Sequence, residues 1–198
     1  VWGTNNSGQL GLLSPDTINR SSPVQVNASK SWLSISKANT GTTTAEFTLA
    51  IDSDSKLWVW GTNAQGQLGQ GYSGNYYSSP IQVGSLTNWL QVTYASGNNF
   101  NLGSILAVKT DGTLWAWGSN SIGQLGLGNT TNYSSPVQVG SDTNWAQVSM
   151  GDKSTRAIKT DGTLWVWGDG INGQLGLGNT TSYSSPKQVG ALTNWSFV

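Results

Sequence analysis

Cysteine and histidine are both missing from the 198 residues, and charge is scarce: nine Lys plus Arg balance nine Asp plus Glu. Without thiols there is no disulfide framework and no thiolate metal site. Without histidine the usual general base and the commonest metal ligand are gone as well, which leaves acid–base work to Asp or to the single glutamate, Glu46. Zero net charge with no basic run removes the counterion release that drives phosphate-backbone binding, so no nucleic-acid partner is expected, and no attraction to an anionic membrane surface. Long apolar runs are lacking too. Stretches such as Leu57-Trp58-Val59-Trp60 fall far short of the ~20 residues that a spanning helix needs, so no membrane insertion is expected.

What the chain has in quantity is glycine, 26 residues, and tryptophan, 11 residues, and both recur in phase. Trp-Gly appears at Trp2-Gly3, Trp60-Gly61, Trp117-Gly118 and Trp167-Gly168. Gly-Gln-Leu-Gly follows each time, starting at Gly8, Gly66, Gly123 and Gly173. Ser-Ser-Pro comes next, ending at Pro23, Pro80, Pro136 and Pro186, and a further Trp follows each proline, at Trp32, Trp89, Trp145 and Trp195. Four markers repeating in one order define a tandem repeat with a period near 50 residues.

Each unit reads as strands. Residues 146–150 and 155–159 alternate in polarity, Asp161-Gly162 follows, and Leu164-Trp165-Val166-Trp167 alternates again. Asp-Gly between two period-two runs is the strongest short-range hairpin signal, because both turn positions favour positive φ. Asp111-Gly112 repeats it; in the first unit it has become Asp54-Ser55, where a looser turn is expected since Ser tolerates positive φ less well. A fourth strand is expected to start at each proline, a position that suits an outer strand. Helical periodicity is absent, so the fold class is all-β. Four short antiparallel strands at this period fit the blades of a β-propeller.

The run Asp161-Gly162-Thr163-Leu164-Trp165-Val166-Trp167-Gly168, with Gly173-Gln174-Leu175-Gly176-Leu177-Gly178 and Ser185-Pro186 behind it, resembles the repeat of the regulator of chromosome condensation family. The resemblance covers essentially the whole chain and implies a seven-bladed propeller, which at ~50 residues a blade needs ~350. The chain therefore reads as a partial ring of about four repeat units: a partial blade over 1–32, blades over 32–88, 89–144 and 145–194, and the start of another over 195–198. The opening Val1-Trp2-Gly3 reads as a cut through a longer sequence. Family repeats usually carry Gly and then His ahead of the strand that enters the Asp-Gly turn; here Gly151 is present but Lys153, Ser154 and Thr155 fill the region, so a role tied to that histidine does not transfer. Missing basic patches likewise argue against a chromatin-bound nucleotide-exchange role, and the composition fits a prokaryotic or viral-type member.

Most conspicuous features have structural readings. The paired tryptophans recur in phase and are expected to pack between blades; Gly-Gln-Leu-Gly lacks the Gly-Lys-Ser/Thr that a phosphate cradle requires and is a turn whose leucine plugs the core. Asp52-Ser53-Asp54 lacks the rest of a calcium loop. No catalytic residue, cofactor site or metal site is assigned, and the chain is read as no enzyme, a hydrolase being the least favoured alternative.

Departures from the repeat point to function. From Trp to the hairpin turn there are 22 residues in two units (Trp32 to Asp54, Trp89 to Asp111) but 16 in the third (Trp145 to Asp161), so six residues have been added twice at one place, within 38–46 and 95–103. Equivalent insertions project from one face of a ring, and propeller faces commonly bind. Together with the extra tyrosines before Ser-Ser-Pro, this nominates Thr42, Thr43, Phe47, Tyr72, Tyr76, Tyr94, Asn98, Asn99, Phe100 and Asn101 as partner-contacting. The expected function is a non-catalytic protein-interaction or structural module, part of a larger surface or virion-type assembly; the alternative is a secreted or surface module recognising protein or glycan through one face. The partner would be a protein, other copies of the chain, or a glycan. Low charge and Ser/Thr/Asn richness suit an extracellular, cell-surface or virion setting.

Overall fold

The structure is a computed structural model, and the residues it describes are 1–12, 16–35, 46–95, 103–151 and 153–197. Among them are twelve strands and no helix. The first sheet is β1 (Trp32–Ile35), β2 (Phe47–Asp52), β3 (Leu57–Thr62) and β4 (Tyr76–Gln82); the second is β5 (Trp89–Tyr94), β6 (Ser104–Lys109), β7 (Leu114–Gly118) and β8 (Tyr133–Gln138). The third is β9 (Trp145–Met150), β10 (Ser154–Lys159), β11 (Leu164–Gly168) and β12 (Tyr183–Gln188). Each is an antiparallel meander in chain order, so the first and fourth strands are edges and the two middle strands carry the core. β6 is buried along its whole length because a neighbouring sheet lies on each side, and β2 because the second sheet lies on one side and the Gly8–Gly11 turn on the other, where the Thr48 hydroxyl donates to the Gln9 carbonyl. The three sheets are successive blades of a partial β-propeller ring. Ahead of them Gly3 bridges Arg20, the counterpart of the pairing of Gly118 with Tyr133 and of Gly168 with Tyr183.

Two local expectations are corrected. The fourth strands begin at Tyr76, Tyr133 and Tyr183, so the proline lies inside the strand rather than at its start. It is tolerated because the strand is an edge and because the ladder shifts register there: in the second blade Ala116 pairs with Val137 and Gly118 with Tyr133, leaving the Ser-Ser-Pro segment as an irregularity opposite Trp117. The Asp54-Ser55 turn is not looser than its relatives. Ser55 takes φ 57°, close to the 76° of Gly112 and Gly162, and Ser55 N–H donates to the Asp52 carbonyl at 2.9 Å as Gly112 N–H does to that of Lys109 at 3.0 Å. Asp52 makes this possible, since its carboxylate Oδ1 accepts from the Asp54 and Lys56 amides, each at 3.0 Å.

Ser55→Gly is therefore expected to raise stability by about 0.5–1 kcal/mol by relieving a left-handed side-chain conformation. The reverse change at Gly112 is expected to lower it by more than about 2 kcal/mol, because a Cβ there would stand 2.1 Å from the Thr143 carbonyl oxygen. Urea denaturation of both variants checks the pair.

Candidate protein-interaction face

Because β1 runs towards one end of its blade, β2 back and β3 forward again, the β1–β2 and β3–β4 connections share an end. At that end of the first blade Thr62 N–H donates to the Glu46 carbonyl, and Thr62 pairs with Tyr76. The second blade repeats the closure, with Ser119 N–H on the Gly103 carbonyl. Glu46 and Gly103, which follow the two insertions in sequence, thus lie at the same end of adjoining blades.

Phe47, the first residue of β2, is buried at 3 % exposure, and its ring meets Tyr94, the last residue of β5, edge-on with centroids 5.3 Å apart. One residue comes just after the first insertion and the other just before the second, so a single aromatic contact across the blade boundary joins the two loop bases. Burial pushes the Tyr94 phenol above its ordinary range. Tyr72 and Tyr76 are exposed, at 41 % and 54 %, and the Tyr72 hydroxyl bonds that of Tyr77. The remaining nominated residues, Thr42, Thr43, Asn98, Asn99, Phe100 and Asn101, lie outside the described residues.

Adjoining blades are locked by a joint that recurs three times. The Trp-Gly indole of one unit docks on the Gly-Gln-Leu-Gly turn of the unit before it. Trp60 Nε1 donates to the Gln9 carbonyl at 2.7 Å, Trp117 Nε1 to that of Gln67 at 2.9 Å, and Trp167 Nε1 to that of Gln124 at 2.9 Å. All three rings are fully buried. The turn leucines Leu10, Leu68, Leu125 and Leu175 are core residues, as the sequence implied. The Thr155 hydroxyl donates to the same Gln124 carbonyl at 2.9 Å, as the Thr48 hydroxyl does to that of Gln9 at 2.9 Å, which adds a second inter-blade link beside the indole. Between the first strands of the second and third blades, Gln91 of β5 clasps Val148 of β9, donating to its carbonyl at 3.0 Å and accepting from its amide at 3.1 Å.

The other tryptophan of each pair does something the spacing did not reveal. Trp58, Trp115 and Trp165 are only half-buried and each carries an ammonium on its face: Lys30 at 3.8 Å, Lys109 at 3.7 Å and Lys159 at 4.2 Å. Lys109 and Lys159 end β6 and β10; the matching position at the end of β2 is Asp52, which accepts from the Trp58 indole at 2.7 Å and faces Lys30 at 3.5 Å. The cation over the ring is kept although another segment supplies it. The recurrent Lys-Thr-Asp-Gly at 109–112 and 159–162 was the signal. Beside these rings, equivalent crevices of about 370 and 420 Å³ open between blades, lined in part by Trp89, Trp115 and Pro136 in one and by Trp145, Trp165 and Pro186 in the other.

Electrostatics at the hairpin end are local. The hydroxyl and then the amide of Thr113 bond Asp111, and those of Thr163 bond Asp161, holding both carboxyls below the ordinary 3.8. Burial pushes Asp52 up, but the Lys56 amide, the Trp58 indole, the Asp54 amide and the Lys30 charge outweigh it and the net shift is down. Burial pushes the Lys109 ammonium below its ordinary value, opposed by Asp111. A carboxyl held low in the folded state adds stability that is present above the unfolded value of 3.8 and is lost as pH falls through the folded one. Thr113→Val and Thr163→Val are accordingly expected to flatten the loss of melting temperature below pH 4, as read by thermal scans across that limb. Among the described residues no cluster of Asp or Glu could hold a metal ion, and no helix is long and apolar enough to cross a membrane.

The regulator of chromosome condensation (RCC1) repeat model matches residues 1–44, 54–102, 111–158 and 161–198. Human protein RCC2 is 38 % identical over 96 residues, 48 % of this chain and 17 % of RCC2. The X-linked retinitis pigmentosa GTPase regulator of Canis lupus familiaris is 34 % identical over 140 residues, 70 % of this chain and 13 % of that protein. Among solved structures, yeast RCC1 (Prp20) in complex with Kap60 superposes with a TM-score of 0.72 at 19 % identity, covering 96 % of this chain and 44 % of that one. The chain thus spans less than a fifth of the length of these two curated relatives. These relatives are eukaryotic and give no support to a prokaryotic or viral-type member. They also overturn the extracellular, cell-surface or virion setting expected above, since RCC2 and the retinitis pigmentosa GTPase regulator are intracellular proteins. Low charge and Ser/Thr/Asn richness were misleading because they report turn chemistry and two-sided burial of the strands, not a compartment.

Proposed function

From the premise that the chain belongs to the regulator of chromosome condensation (RCC1) repeat family, we propose that it is a non-catalytic protein-interaction module of a regulatory protein, docking its partner on the end of the blades that carries residues 36–45 and 96–102. The observation that carries this reading is the Phe47–Tyr94 contact: it sets the residue after one insertion against the residue before the other at a blade boundary, with exposed Tyr76 at the same end. The Thr, Asn and Tyr content of the sequence in and around the two insertions is a composition suited to protein recognition. A glycan and a surface assembly are not part of this reading. The tryptophans that would have made a sugar platform are inter-blade pegs and cation-bearing rings. The GTPase-regulator relative makes a small GTPase the first partner class to test.

Replacing residues 38–44 and 97–101 by short Gly-Ser links is expected to abolish association with a panel of small GTPases that the parent chain binds, while the melting temperature stays unchanged, as measured by biolayer interferometry and thermal scans. Equal affinity in the shortened chain, or no association in the parent, would sink the reading.

A further inference from the structure

The two inter-blade crevices are counterparts residue by residue. Each residue that lines the crevice beside Trp115 has its equivalent in the one beside Trp165, and the pairs differ in identity at two places only. Gln70 stands where the other crevice has Leu127, and Leu86 stands where it has Asp142. Both differences change what the crevice can bond.

The exchange of Asp142 for Leu86 leaves a cation without its anion. Asp142 reaches Lys159 Nζ at 2.7 Å, and in the first blade Asp52 faces Lys30 at 3.5 Å, so each of these ammoniums has an indole face and a carboxylate. Lys109 Nζ lies between two indoles, 3.7 Å from the Trp115 centroid and 4.8 Å from that of Trp89, and no carboxylate among the described residues forms an ion pair with it. Its hairpin neighbour Asp111 has Oδ1 engaged by the Thr113 amide and hydroxyl, at 3.0 and 2.6 Å. Lys109 is only 4 % exposed, and a charge held in so desolvated a place is costly until it is compensated. The ammonium is not sealed off. Among the described residues the enclosed side-chain atoms without a hydrogen-bond partner belong to Gln67, Asn88, Trp89 and Trp145, so solvent still reaches Lys109 Nζ.

The exchange of Leu127 for Gln70 adds an acceptor. Gln70 Nε2 donates to the Leu68 and Gln82 carbonyls, each at 3.1 Å, which fixes the amide and leaves Oε1 available. Leu86, 43 % exposed, completes an apolar wall with Pro136 and the half-buried Trp115.

We propose that this 370 Å³ crevice is a binding site for an acidic peptide segment of a partner protein. An Asp or Glu side chain of the segment accepts from Lys109 Nζ in the role that Asp142 plays for Lys159. A peptide N–H donates to Gln70 Oε1, and an adjoining apolar side chain packs on Leu86 and Pro136. The occupant is a peptide, not a free anion, because the crevice sets an acceptor and an apolar wall beside the cation and a free anion would use neither. Lys109 ends β6, whose first residue follows Gly103, so the site lies at the hairpin end of the second blade and is independent of the docking end proposed above.

Proton–nitrogen correlation spectra of the whole chain, titrated with acetyl-Asp-Leu-amide to about 50 mM, test the proposal; one charged contact and one small apolar contact correspond to a dissociation constant in the millimolar range. The indole N–H signal of Trp115 is expected to shift saturably while that of Trp165 stays in place. Leu86→Asp supplies the missing carboxylate from within and is expected to weaken binding by about tenfold or more, the worth of one charge-assisted bond. The double variant Asp142→Leu, Leu127→Gln is expected to do the converse and make the Trp165 signal respond. Leu86 and Asp142 are exposed and Leu127 is half-buried, so these variants are expected to fold, which unchanged signals elsewhere in the spectrum check. Acetyl-Asn-Leu-amide is expected to leave the Trp115 signal unmoved. No saturable shift at Trp115, an equal response to the Asn peptide, undiminished binding in Leu86→Asp or a silent Trp165 signal in the double variant overturns the proposal. Sodium acetate or inorganic phosphate binding as tightly as the peptide would overturn it too, by showing a free-anion site.

Discussion

Trp117→Ala is expected to destabilise the chain by about 3–5 kcal/mol, the range for truncating a large buried ring. The indole is fully buried, tilts against Trp89 with centroids 6.0 Å apart and rests over Gly69 of the preceding unit. Removing it empties the joint between the first two blades and leaves the buried Gln67 carbonyl without the indole donor. Two companion changes separate these causes. Trp117→Phe keeps most of the ring but not the N–H, and is expected to cost about 1–3 kcal/mol, the penalty for an unsatisfied buried acceptor. Trp115→Ala removes a half-buried ring whose N–H goes to Thr113 of its own blade at 2.9 Å, and is expected to cost less than Trp117→Ala. Urea denaturation of the three variants gives the order directly. A loss under 1 kcal/mol for Trp117→Ala would mean that the joint does not hold the blades together.

Gly126→Ala is expected to cost about 2–4 kcal/mol, from a left-handed φ of 76° and from overpacking against a buried ring. The new methyl would lie 2.7 Å from Trp167 Nε1 and 2.9 Å from Cε2, and neither atom can retreat without breaking the bond to Gln124. Gly176→Ala is the matched control. It is the same position of the same turn one unit later, at φ 67° with nothing within 4 Å, so only the backbone term remains, about 1 kcal/mol. The difference between the two isolates what one indole-on-glycine contact contributes to blade stacking. Equal losses from the two substitutions would show that backbone conformation alone accounts for the glycine.

Particular residues show how far pattern reading reached. Asp111-Gly112 and Asp161-Gly162 fixed both hairpins because a two-residue turn between alternating runs depends on local φ alone. The in-phase tryptophans announced burial between blades, but spacing could not separate Trp117, which crosses to the preceding unit, from Trp115, which stays over Lys109 in its own. Residues two apart share a strand face whatever lies opposite them. Pro136 marked the fourth strand but not the irregularity inside it, which depends on the register of β8 against β7. Phe47 and Tyr94 were nominated as partner-contacting; Phe47 is buried instead, and its meeting with Tyr94 across a blade boundary appears only once β2 and β5 stand side by side. Composition failed where it was asked about compartment, since nothing in the balance of Ser, Thr and Asn encodes an address.

The order of strands, the hairpins, the repeat and its period were therefore written in the chain, because each depends on neighbours a few residues apart. Which indole pegs which turn and which loop bases touch were decided only by stacking one sheet on the next. Those contacts join residues 43 to 51 positions apart, and the angle between twisted sheets, not local preference, brings them within bonding distance.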